Sequence, residues 1–81
     1  MKIETAELLS KLLQNNRLQF VEDDQGLVLE HNLTDQEKLQ LVELEYGKQL
    51  AKTVDDFFIE IMHKTIRMAI DMAKRQYKNK L

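Results

Sequence analysis

The chain has no cysteine, no proline and no tryptophan, and only two of its 81 residues are glycine. Without cysteine there are no disulfides and no thiolate metal sites, a composition that suits a reducing, cytoplasmic setting. Without proline the chain lacks its strongest helix breaker, and long helices meet no fixed interruption. With Gly26 and Gly47 far apart, no glycine-rich loop is available to cradle a phosphate. Its single serine, Ser10, stands in a helical stretch without a neighbouring histidine or glycine turn, so a serine nucleophile is not expected. No stretch approaches the ~18 uncharged apolar residues of a membrane span. The opening Met-Lys-Ile-Glu-Thr-Ala-Glu puts acids where a secretion signal has its apolar run. Neither an enzyme nor a membrane protein is expected.

What the chain has is helix-forming sequence around a short alternating insert. At 43% hydrophobic and 32% charged residues, it reads as one folded domain over residues 1–81. Residues 4–15 form an amphipathic helix through Leu8, Leu9, Leu12 and Leu13, with Glu4 and Glu7 at its positive end. Asn15 and Asn16 follow as stop residues, because asparagine tolerates the left-handed conformation. Residues 17–22 and 27–31 then alternate around Asp23-Asp24-Gln25-Gly26, a hairpin signal. A four-residue loop pairs Glu22 with Leu27, Phe20 with Leu29 and Leu18 with His31. Leu18, Phe20, Leu27 and Leu29 then share one face, whereas a three-residue loop would split that set.

Residues 35–79 read as helical. Thr34-Asp35-Gln36-Glu37 is a capping box. Leu39, Val42, Tyr46, Leu50, Val54, Phe57 and Ile61 keep one helical phase, which favours a single kinked helix. Gly47, and a second cap signal at Thr53-Val54-Asp55-Asp56, favour a break within residues 47–53 and two helices. The expected fold is therefore α+β and mostly helical: a short helix, a β-hairpin and a long helical C-terminal region.

The last helix carries the strongest signal. Its apolar residues from Val54 to Ala73 fill an arc of roughly 220°, about twice the ~100° stripe that one core requires. Eighty-one residues make a small core, and chains of this size often need a partner subunit. A homodimer is expected, with Val54, Phe57, Phe58, Ile61, Met62, Met68 and Met72 as its interface.

Charge is uneven as well. Residues 1–62 hold six basic and thirteen acidic side chains, and residues 63–81 hold six basic and one acidic. Cations near a helix C-terminus match the dipole. They also offer contacts to phosphate or an acidic partner at Lys64, Arg67, Lys74, Arg75, Lys78 and Lys80. Against general nucleic-acid affinity stands the overall charge of −2. Glu60 and His63 form one Glu-x-x-His unit, where a di-metal bundle needs two such units and two further glutamates. No metal or cofactor is expected. Asp55 and Asp56 point about 100° apart on a helix and read as first-turn charges, not as an acid–base pair. The functional expectation is a non-catalytic interaction or regulatory module, binding itself and another protein as inhibitor, adaptor or assembly factor. The alternative is a small nucleic-acid-binding regulator that uses the basic helix.

Overall fold

A computed structural model describes residues 1–79, in the order α1 (Ile3–Gln14), β1 (Leu18–Asp23), β2 (Gly26–His31), α2 (Asp35–Tyr46) and α3 (Ala51–Asn79). The order helix, hairpin, helices is the expected one. α1 ends where asparagine permits it: Asn16 takes φ +60°, and the Arg17 and Asn16 amides donate to the Leu12 and Leu13 carbonyls at 2.8 and 3.2 Å. That reciprocal pair is a Schellman motif, which satisfies the last helical carbonyls and turns the chain into β1.

The hairpin has the expected register, Leu18 opposite His31, Phe20 opposite Leu29 and Glu22 opposite Leu27. It is tighter by one pair, because Asp23 also faces Gly26. The loop between paired residues is therefore Asp24-Gln25, with the Asp23 carboxylate accepting from the Gln25 amide at 2.8 Å and Gly26 at φ +127°. Burial along the shared face is graded, not uniform. Leu18 is fully buried and Leu27 and Leu29 half-buried, whereas Phe20 remains exposed.

Thr34 and Glu37 form the capping box, with the Glu37 amide donating to Thr34 Oγ and the Thr34 amide to Glu37 Oε1. α2 stops at Tyr46, and Gly47 leaves it with φ +81° and ψ −174°, backbone territory open almost only to glycine. α2 and α3 are thus two helices, not one kinked helix. Two expectations need correction here. α3 starts at Ala51, ahead of Thr53, whose hydroxyl turns back to donate to the Leu50 carbonyl at 2.7 Å and does not cap a helix. Leu50, in phase with the core residues, lies in the break and is 66% exposed.

The core draws on the three helices and β1, with Leu29 of β2 half-buried against it. Leu9 and Leu12 of α1, Leu18 of β1, Leu33, Leu41 and Val42 around α2, and Phe58, Ile61 and Met62 of α3 are buried together. α1 packs on β1 and α2, while α2 and β2 both pack on α3. With 29 residues α3 is about 43 Å long, close to the 47 Å longest dimension of the molecule. The other elements cover only its first half.

Candidate interaction surface

Ion pairs tie the covered half in place. Glu45 of α2 accepts from the Lys2 amide at 2.9 Å and lies 3.7 Å from Lys64 Nζ and 4.0 Å from the N-terminal amine. Burial of this carboxyl, whose side chain is only 6% exposed, raises its pKa. The Lys2 amide, the two cations and the nearby Thr5 hydroxyl outweigh that and leave it below the ordinary value. Thr5 itself is fully buried without meeting hydrogen-bond geometry. Lys64 also donates to the Tyr46 hydroxyl at 3.0 Å, which raises its own pKa. At the other end of α2, Arg17 Nε donates to Asn32 Oδ1 at 2.7 Å and its guanidinium pairs with Glu37. The Thr34 amide is the main cause that lowers the Glu37 pKa, with Arg17 adding to it.

α3 distributes its apolar arc in three ways. Phe58, Ile61 and Met62 point into the core of the single chain, with Val54 and Phe57 packed half-buried against it. Met68 and Met72, seven residues beyond Ile61 and Thr65, continue the same face past the last element that could cover it. They are 46% and 58% exposed. Ile59, Ile66 and Ile70 form a separate stripe within about 60° of arc, roughly a quarter turn from the core-facing side. Ile59 and Ile70 are exposed and Ile66 half-buried. Of the seven expected interface residues, therefore, Phe58, Ile61 and Met62 are already occupied within one chain. Val54 and Phe57 are half-buried, and of the seven Met68 and Met72 alone are exposed.

Beside the isoleucine stripe, between α3 and β2, lies a groove of about 570 Å³. Val28 and Leu29 form one wall and Phe58, Ile59, Met62 and Ile66 the other, with His31, Lys38, Asp55 and His63 at the rim. His31 stacks edge-on to Phe58 at 4.9 Å and accepts from the Leu33 amide at 3.2 Å. Partial burial, then the charge of Lys38, lowers its pKa. Sequence reasoning missed this groove, because it depends on where the hairpin docks. The exposed Val28, on the face of β2 opposite the expected core residues, was the available signal.

Among the basic candidates, Lys64 is engaged with Tyr46 and Glu45, while Arg67, Lys74 and Arg75 are exposed. Lys78 lies on the last turn of α3, its side chain outside the description, and Lys80 lies outside the described residues. Glu60, His63, Asp55 and Asp56 are all exposed. Among the described residues no three histidine or acidic side chains gather as a metal site, and no helix is long and apolar enough to cross a membrane. In comparison with known proteins, the chain matches no family model, no curated protein and no solved structure.

Proposed function

We propose that this chain is a non-catalytic protein-interaction module that works as a homo-oligomer, with the outward faces of α3 as its contact surface. The supporting observation is the exposure of Ile59, Met68, Ile70 and Met72, at 52%, 46%, 39% and 58%, along one helix. Single exposed apolar residues are ordinary, but four large ones on two faces of one projecting helix leave apolar surface for another protein to cover. Covering the exposed half of each would contribute roughly 1 kcal/mol per side chain, and a two-fold pairing gains that in both copies. On the side of Ile59 and Ile70 the surface continues into the apolar groove beside β2, which enlarges the area a second protein could cover. A regulatory role follows the same logic: a module of this kind acts by occupying a partner.

Light scattering across a dilution series from roughly 200 μM to roughly 10 μM tests the reading, because an assembly this size dissociates by mass action. The expected result is a mass near twice that of one chain at the upper end, falling on dilution. A single-chain mass throughout would refute self-association.

A further inference from the structure

We infer that α3 pairs antiparallel with α3 of a second copy, centred near Ile66, so that the projecting half of each helix lies in the other copy's groove between β2 and α3. This rests on the self-association proposed above and specifies its geometry. Phase comes first. Ile59, Ile66 and Ala73 recur every seven residues, so the stripe beside the groove continues onto the uncovered half of the same helix. Antiparallel pairing about Ile66 sets Ile59 of one copy opposite Ala73 of the other. Ile70 then lies opposite Met62 on the groove wall, and the small side chains of Ala69 and Ala73 let the helix settle between α3 and β2.

Charge selects this direction over the parallel one. From residue 51 to 62 the helix carries Asp55, Asp56 and Glu60 against Lys52; from 63 to 76 it carries Lys64, Arg67, Lys74 and Arg75 against Asp71. The acidic half is the half beside the groove, and Asp55 stands on the groove rim. In the antiparallel arrangement Lys74, at the flank of the stripe, comes within one turn of Asp55 and Asp56 of the other copy. In a parallel arrangement the same acids would face each other, as would the same cations, a juxtaposition that disfavours binding. Arg67, Lys74 and Arg75 form no ion pair within their own chain among the described residues. Opposed helix dipoles add to the same preference.

Spin labels read the direction, and a chain without cysteine accepts them at chosen sites. Gln76 and Arg67 are exposed. In the antiparallel pair two labels at Gln76→Cys lie about 30 Å apart along the axis, and two at Arg67→Cys about 3 Å apart along it. Expected, then, is a long distance at Gln76 with a short one at Arg67. Short distances at both sites in a protein of dimeric mass would overturn the antiparallel geometry and leave self-association standing. A single-chain mass would overturn both. The charge argument has its own readout: the variant Lys74→Glu should weaken self-association about fivefold or more, and mixing it with Asp55→Lys/Asp56→Lys should restore a mixed dimer. Unchanged dissociation of the first variant would contradict the charge pairing.

Discussion

Replacing Gly47 with alanine isolates what separates α2 from α3. At φ +81° and ψ −174° the residue occupies a region that costs a side-chain-bearing residue about 1–3 kcal/mol. A β-carbon there would meet no atom within 4 Å, so steric clash with neighbours adds nothing and the whole effect is conformational. Alanine also restricts the unfolded chain, which returns about 0.4–1 kcal/mol. The balance is a loss of about 1–2 kcal/mol, a substantial part of the ~5 kcal/mol that a core of this size supplies. Urea unfolding followed by far-ultraviolet circular dichroism, at one fixed protein concentration, should show the midpoint falling by about 1–2 M for a slope near 1 kcal/mol/M. Helical signal before the transition should stay the same. An unchanged or higher midpoint with added helicity would show instead that residues 47–50 readily join α2 and α3 into one helix.

Further expectations follow from the packing and the charges. Ile61, with no exposed surface, should lose about 2–5 kcal/mol on Ile61→Ala, enough to leave much of the chain unfolded by circular dichroism in the absence of denaturant. Thr34→Ala should cost about 1 kcal/mol in urea unfolding through loss of the α2 cap. Because the Glu37 pKa is lowered in the folded chain, its contribution is present above the ordinary carboxylate value of 4.5 and disappears as pH falls through the folded value. Stability measured from pH 6 to pH 3 should therefore fall less steeply in Glu37→Gln than in the native chain, and equal slopes would contradict this. Electrophoretic mobility of duplex DNA at about 50 mM salt should be unchanged by the protein, since the chain is acidic overall; a salt-sensitive shift abolished by truncation after Ala73 would establish the nucleic-acid alternative.

Local signals were legible in the sequence, and relations between distant elements were not. The Thr34–Glu37 box, the left-handed Asn16 and the hairpin register each depend on residues a few positions apart, or on alternation that a one-residue slip would ruin. The start of α3 was misread because Thr53 and two following acids imitate a cap, while the real start at Ala51 has no such signature in its first turn. Leu50 kept the helical phase across the break although it packs on nothing that buries it. The wide apolar arc of α3 was correctly visible, but its division between core and outer faces was not. That division follows from the placement of β2 beside Ile59 and from the length by which α3 outruns α2 and the hairpin. Glu45 could not be distinguished from the other acids of α2, since its partners are the chain start and Lys64.

On α3 one set of apolar side chains enters the chain's own core and another faces outward, where we propose that a second copy covers it. Phe58 and Ile59 are adjacent in sequence, yet one is 4% and the other 52% exposed. Sedimentation velocity of Ile59→Asp separates these two roles. We expect a compact, folded species of single-chain mass at a concentration where the native chain sediments as a dimer. An Ile59→Asp protein that sediments as the native one does, or that unfolds as a core variant would, contradicts that proposal.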